Sequence, residues 1–316
     1  MVALDFEKNL KNLKEKIEEL RKISIEQNID LSDEIKKLEI KLKYMEKEVY
    51  KNLSAWDKVK ISRLLERPTA LDYIKRIFDS FIELHGDRNY ADDTSILCGI
   101  GNFKGIPVTI VAQQKGRDTN ENIKRNFGMP HPEGYRKALR IMKQAEKFRR
   151  PIICFVDTPG AFPGIGAEER GQGEAIARNL MEMSSLKTPI ISIVIGEGGS
   201  GGALALAVGD EIWMLEHSIY SILSPEGFAS ILFKDASKAA EAAEYMKITA
   251  QELYNYGIID KIIKEPIGGA HKNPDEMAQN IKISLQESIK KLINEPIELI
   301  VEKRYEKFRK IGKVVE

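Results

Sequence analysis

The sequence predicts an α/β protein whose sheet is covered on both faces, with charged helical segments at its two ends. Three observations predict this. Short β-rich runs recur from about residue 95, helical stretches separate several of them, and the runs are apolar at consecutive positions, as strands buried on both sides are. Toward either terminus the texture turns Lys- and Glu-rich, with apolar residues at helical spacing.

Residues 5 to 27 set Leu10, Leu13, Ile17, Leu20 and Ile23 at steps of three and four, and residues 32 to 50 repeat this with Ile35, Leu38, Leu42, Met45 and Val49. Asn28-Ile-Asp-Leu interrupts the pattern, and Ser32 ahead of Asp33 and Glu34 is the expected N-cap of a second helix. A helical hairpin over 1–52 results. Its stripe is narrow and its other faces are charged, so it is expected to be a packing arm or oligomer contact. The predicted strands are Ser95 to Gly99, Val108 to Ala112, Ile152 to Asp157, Ile190 to Ile195, Glu211 to Leu215 and Ile219 to Leu223. Helices are expected over Pro132 to Phe148, Ala167 to Met183, Gly202 to Val208 and Pro225 to Phe233, which places the core within 53–266. In the remaining segment, 267–316, Ile281, Leu285, Ile289 and Leu292 return to helical spacing before Pro296 interrupts, and a second docking arm is expected there.

A chain of 316 residues with 42% hydrophobic content can bury a real core, which excludes global disorder. Forty-nine basic against forty-eight acidic residues leave a formal charge of +1, so no whole-molecule field calls for nucleic acid or an anionic membrane. Cys98 and Cys154 both lie in apolar runs and read as buried thiols of a reducing cytosol. Two cysteines and four scattered histidines do not suggest a structural zinc site, and no metal is expected in this chain. No signal-like segment and no run of eighteen apolar residues occurs, so a cytoplasmic protein without a membrane span is expected.

The most informative segment runs from Pro189 to Asp210 and reads as a buried strand, a glycine-rich turn and a buried helix. Between Gly196 and Gly202 five of seven residues are glycine. Such a turn lets a ligand approach the backbone, and the amides of Gly201 and Gly202 at the helix start lack intrahelical acceptors. Fixed donors of this kind suit an oxyanion, and losing one typically costs about 10²–10³ in rate. Tight helix–strand packing is the bland alternative. The turn has no Gly-Lys-Ser/Thr ending and fails the dinucleotide fingerprint. Gly198-Gly-Ser-Gly-Gly202 also fits the Gly-x-Ser-x-Gly elbow of serine hydrolases, which would need Asp210, Asp235 or Asp260 together with His271 to activate Ser200. Helix capping by Ser200 is the competing expectation.

A second loop, Asp157-Thr-Pro-Gly-Ala-Phe-Pro-Gly164 and onwards, follows the Ile152 strand. If the two strands are neighbours, both loops open at one carboxyl edge, where α/β sheets bind ligands. Phe162 is then a candidate pocket wall, whereas Glu168 and Glu169 read as partners of a helix dipole. Residues 115 to 150 hold eleven basic and four acidic residues, so a CoA phosphate or an acidic carrier is a conceivable partner and a solvated helix face the bland alternative.

These motifs resemble, along nearly the whole chain, the α subunits of bacterial acetyl-CoA carboxylase carboxyltransferases, within the crotonase superfamily. The resemblance is carried by Lys115-Gly-Arg117, Asn126-Phe-Gly-Met-Pro130, Pro132-Glu-Gly-Tyr-Arg-Lys-Ala138, Asp157-Thr-Pro-Gly160, Gly166-Ala-Glu-Glu-Arg-Gly-Gln172, Gly196-Glu-Gly-Gly-Ser-Gly-Gly-Ala203 and Ser224-Pro-Glu-Gly227. It implies a crotonase-like spiral of β-β-α repeats with helical N- and C-terminal arms. It also implies an α2β2 assembly with a zinc-ribbon β subunit, a biotin carboxyl carrier protein that delivers carboxybiotin, and a biotin carboxylase in the complete complex. The implied reaction moves the carboxyl group from biotin to acetyl-CoA, giving malonyl-CoA for fatty acid synthesis. By the resemblance, Gly201 and Gly202 hold the biotin carbonyl oxygen, Gly198, Gly199 and Ser200 shape the turn, and Gly160, Ala161, Phe162 and Gly164 line the facing loop. In that scheme the biotin ureido group itself takes the acetyl proton, so the protein needs oxyanion donors and no His–acid pair. A serine hydrolase, a non-catalytic scaffold and a self-sufficient enoyl-CoA hydratase are the alternatives.

Overall fold

The structure, a computed structural model, describes residues 5–312, so the outermost residues of the 1–52 and 267–316 segments lie outside it. A short 3-10 turn leads into α1 (Lys8–Gln27) and α2 (Ser32–Lys51), which form the expected hairpin. Asn28, with φ at 51°, ends α1, and Lys14–Glu46 and Arg21–Glu39 ion pairs join the two helices. The cap of α2 differs from expectation. Ser32 is already inside the helix, and the Asp30 carboxylate accepts its amide at 3.0 Å, a charged acceptor at the positive helix end replacing a hydroxyl. Leu10 and Tyr50 meet Ile61, at the end of α3 (Ala55–Ser62), in a small cluster that anchors the hairpin.

After α4 (Ala70–Ile77) the chain builds one eight-stranded sheet. The strands are β1 (Ser80–Glu83), β2 (Ile96–Phe103), β3 (Ile106–Gln113), β4 (Ile152–Thr158), β5 (Ile190–Gly199), β6 (Glu211–Leu215), β7 (Ile219–Ser221) and β8 (Lys261–Ile263). Their spatial order is β1-β2-β3-β4-β5-β6-β8, with β7 beside the end of β5. The first three pair antiparallel, and the pairings from β3 onwards are parallel.

Between and after the strands lie α5 (Thr119–Lys124), α6 (Pro132–Lys147), α7 (Ile165–Glu169), α8 (Gln172–Ser185), α9 (Ser200–Leu204), α10 (Pro225–Leu232), α11 (Ala239–Met246), α12 (Ala250–Asn255), α13 (Pro274–Leu292) and α14 (Ile297–Lys310). Alternate strand residues face opposite sides, as the period of two requires. Ile153, Phe155, Ile191, Ile193 and Trp213 pack against α4 and against Met277, Ile281, Leu285 and Ile289 of α13. Ile152, Cys154, Val156, Ile190 and Val194 pack against Tyr135, Ala138, Ile141 and Ala145 of α6, with α8 and α9 beside them. Both faces are thus covered, which is why the strands read as unbroken apolar runs.

Several expected elements come out differently, among them β2, which runs on to Phe103, and β7, which ends at Ser221. The stretch Ala167 to Met183 is two helices, broken at Gly171, whose φ of 82° no helix interior accommodates. The helix expected over Gly202 to Val208 begins at Ser200 and ends at Leu204. Strand β5 runs four residues past Ile195, because Glu197, Gly198 and Gly199 pair with β7. Two short strands, β1 and β8, were not expected: β1 is a mostly exposed edge and β8 has only three residues.

Candidate functional site

Strands β4 and β5 are parallel neighbours, so both glycine loops leave the same edge of the sheet. The pairing is irregular at its end: Val156 faces Val194, but Thr158 faces Gly198. The extra residues of β5 bulge over Asp157, whose Oδ1 accepts the Glu197 amide at 3.0 Å. A Cβ at Gly196 would collide with that carboxylate, and one at Gly199 would fall on the Pro159 carbonyl. A Cβ at Gly202 would lie 2.6 Å from both the Ala161 nitrogen and the Gly160 carbonyl carbon. The two loops therefore touch backbone to backbone. Glycine is required at 199 and 202 by this approach, which the spacing of glycines in the sequence indicates but cannot locate.

Among the described residues, the amides of Gly201 and Gly202 donate to no backbone or side-chain acceptor, and at the far end of the turn the Ala205 amide donates to the Gly201 carbonyl at 2.9 Å. The two positions are not equivalent. Gly202 is buried against the 160–161 backbone, whereas a Cβ at Gly201 would meet only Ile176, at 3.5 Å. Helix α9 has five residues, so the donors here are fixed amides with only a small helix dipole behind them.

Ser200 is exposed and has φ at 53°, a left-handed conformation at a strand-to-helix turn. It does not cap α9: Gly199 is the N-cap, and no side chain bonds there. Nor does the expected hydrolase set assemble around it. Asp210 is held by Arg304, Asp260 by Lys307, and Asp235 by Ser237, while the His271 ring lies against Gly269. Without a base within reach, Ser200 remains an ordinary alcohol.

The facing loop carries Gly160, Ala161, Phe162 and Gly164, all half-buried. Thr158 Oγ1 ties its base by donating to the Gly160 carbonyl at 2.7 Å. The Phe162 ring stacks on His131, with centroids 4.2 Å apart, and its amide donates to the Pro130 carbonyl at 3.0 Å. Gln172 donates to both the Pro130 and Phe162 carbonyls, which fixes the loop against the segment before α6.

Behind the glycine turn lies a buried charge network that local sequence does not reveal. Lys115 Nζ is 2.8 Å from Asp157 and 3.0 Å from Glu197, and Arg63 bridges Glu197 and Glu226 at 2.6 Å each. Burial opposes charge on Lys115, but the Asp157 and Glu197 carboxylates outweigh it and raise its pKa. Burial likewise pushes Glu197 up, and Lys115 and Arg63 more than reverse it, lowering its pKa. Both groups stay ionised at neutral pH and are unsuited to proton transfer. A cavity of about 50 Å³ adjoins them, lined by Arg63, Arg67, Lys115, Asn122 and Asp157 among others. Two further buried groups have open valences: Tyr135 Oη, 3.0 Å from the missing Cβ of Gly202, and Gln172 Oε1, both without a partner.

Much of the basic run from 115 to 150 is engaged in ion pairs within the molecule, those of Arg117 and Lys143 at its surface. Lys115, Arg117, Arg125, Arg136, Lys137 and Lys143 all pair with carboxylates. Among the described residues no group of three or more His, Cys, Asp or Glu is placed to hold a metal ion, and no helix is long and apolar enough to cross a membrane.

Residues 3–312 match the family described as acetyl co-enzyme A carboxylase carboxyltransferase-like. The chain is 62% identical over 309 residues to the acetyl-coenzyme A carboxylase carboxyl transferase subunit alpha of Halalkalibacterium halodurans, covering 98% of this chain and 95% of that one. It is 60% identical to the protein of the same name from Alkaliphilus oremlandii, with 98% of each covered. Among solved structures, transcarboxylase 12S superposes with a TM-score of 0.57 at 21% identity, over 70% of this chain and 41% of that one. A Pseudomonas malonate decarboxylase hetero-tetramer in complex with coenzyme A gives 0.59 at 16% identity, over 75% of this chain and 92% of that one. At those identities the structural likeness shows the fold, which is crotonase-like.

Proposed function

The chain belongs to the acetyl co-enzyme A carboxylase carboxyltransferase-like family, and we infer from that premise how its geometry serves a biotin-dependent carboxyl transfer to acetyl-CoA. Its role is that of the α subunit, and the product is malonyl-CoA, the entry to fatty acid synthesis. When bound, carboxybiotin supplies the carboxyl group and a ureido base. The residues present fit such a group: two unspent amides stand at Gly201 and Gly202, and an unpartnered phenol lies behind them. The amides would donate to the oxygen on which negative charge develops, the biotin carbonyl. Gly198, Gly199 and Ser200 would set the turn, and Gly160, Ala161, Phe162 and Gly164 would form the facing wall.

The assembly we propose is α2β2 with a zinc-ribbon β subunit, served by a biotin carboxyl carrier protein and biotin carboxylase in the cytoplasm. In it, 1–52 is an arm for subunit contacts, 53–266 the transferase core and 267–316 a segment whose outer face docks.

The unspent amide pair carries the reading of the site. Its test is exchange between malonyl-CoA and biotin-lysine by the α chain purified with its β partner. Proline at Gly201 removes the amide hydrogen where first-turn proline is tolerated, and alanine keeps it. Gly201→Pro is expected to lose about 10²–10³ in kcat while Gly201→Ala remains active, both co-eluting with the partner. Equal activity of the two would reject the oxyanion role.

A further inference from the structure

Gln113 is the last residue of β3 and fully buried, yet its carboxamide reaches across the end of β4 to α9. Its Oε1 accepts the Asp157 amide at 3.1 Å, and its Nε2 donates to the Gly202 carbonyl at 2.7 Å. One neutral side chain thus joins the base of the 157–164 loop to the end of the Gly196–Gly202 turn.

We propose that Gln113 is a positioning residue for carboxyl transfer, setting the spacing of the two glycine loops and holding the Gly201–Gly202 backbone in register. The proposal rests on the role given above to those two amides. The turn needs such a tie. Its glycines have wide backbone freedom, α9 has only five residues, and Ser200 sits in a left-handed conformation. The other side-chain bonds to this region miss the donor-bearing residues: Asp157 accepts the Glu197 amide at 3.0 Å on the strand side, and beyond them Asn179 donates to the Ala205 carbonyl at 3.3 Å and Ser192 to the Leu206 carbonyl at 2.7 Å. Tyr135 Oη, although beside Gly202, has no hydrogen-bond partner among the described residues. A displacement of the donors by about 1 Å is enough to cost on the order of 10²-fold in rate.

Gln113→Glu tests this with an isosteric side chain. As a neutral acid it keeps both bonds, its C=O accepting the Asp157 amide and its O–H donating to Gly202. As a carboxylate it sets a bare anion against the Gly202 carbonyl. Asp157 of β4, Lys115 just after β3, Glu197 of β5 and Tyr135 of α6 face this region, with Arg67 and Tyr73 beyond Asp157. All are common to both enzymes, so the ratio of mutant to wild-type kcat isolates residue 113.

In the α–β complex, exchanging malonyl-CoA with biotin-lysine, that ratio should fall on the order of 10²-fold as pH rises through the new carboxyl's pKa. Gln113→Met, of similar size and bondless, should lose about the same factor in kcat at every pH, with KM for malonyl-CoA unchanged. A Gln113→Glu ratio flat with pH overturns the proposal, as does a Gln113→Met enzyme of normal kcat. Should Gln113→Met fail to assemble, recovery of Gln113→Glu at low pH still decides for the proposal, and its absence against. A pH-dependent Gln113→Glu alongside a fully active Gly201→Pro would remove the oxyanion reading and keep the positioning role; the reverse pattern removes only the latter.

Discussion

Each glycine of the turn answers to a different constraint. At Gly202 the missing Cβ makes room for the Gly160–Ala161 backbone, 2.6 Å away, which cannot withdraw without moving the loop. Gly201 faces Ile176 at ordinary contact distance and lies in a helix with φ negative. Gly202→Ala should therefore destabilise by about 1–3 kcal/mol through overpacking. Gly201→Ala should be neutral or stabilise by up to about 1 kcal/mol, since alanine restricts the unfolded chain and suits a helix. Urea unfolding of the two variants checks this, and equal midpoints would contradict the backbone contact. The cysteines were legible at this scale. Cys98 and Cys154 are fully buried, and burial pushes both thiols up to about 12, as their apolar runs indicate.

At the scale of elements, periodicity carried the inference well where a pattern repeats and poorly where it does not. The hairpin, α6, α13 and the five core strands announce themselves through spacings of three to four or through apolar runs. β1 and β8 are too short to show a period, and the break at Gly171 depends on one dihedral angle. The C-terminal helix α14 was foreshadowed only by Pro296, yet it contains a structural anchor invisible to any local pattern. Arg304 is fully buried and spends every guanidinium donor. Nε and Nη2 bond both oxygens of Asp210 at 2.8 Å, Nη1 bonds the Met183 and Leu186 carbonyls, and Nη2 also bonds that of Thr188. Arg304→Met leaves Asp210 charged and buried with three carbonyls unserved, and should cost on the order of 3–5 kcal/mol in urea unfolding. Arg304→Lys should recover little, since an ammonium has three donors and no planar fork. Full recovery by lysine would show that charge alone matters at this joint.

For the whole molecule, a near-zero net charge conceals many internal ion pairs, and most of the basic excess of 115–150 is offset once Asp72, Asp92, Asp157, Glu182 and Glu197 fold against it. Such pairings join residues far apart in sequence, so composition alone could not place them. They also set the response to acid. His217 and His271 each have a buried Nδ1 with no partner, and burial lowers both pKa values, that of His271 to about 4. Burial would raise Glu265, but Arg67, bonded to both its oxygens, holds it at about 2. All three folded values lie below the unfolded ones, so the unfolded chain binds more protons and stability falls with falling pH. For the histidines the loss begins below about 6.5 and, for His271, continues to about 4; for Glu265 it begins near 4.5 and continues to about 2. The thermal midpoint measured by calorimetry should hold above pH 6.5 and then decline in these two successive windows. His271→Asn, which cannot titrate, should make the first decline shallower, leaving the share of His217, and leave the second in place; an unchanged first decline would mean that His271 is protonated as easily in the folded protein as in the unfolded chain.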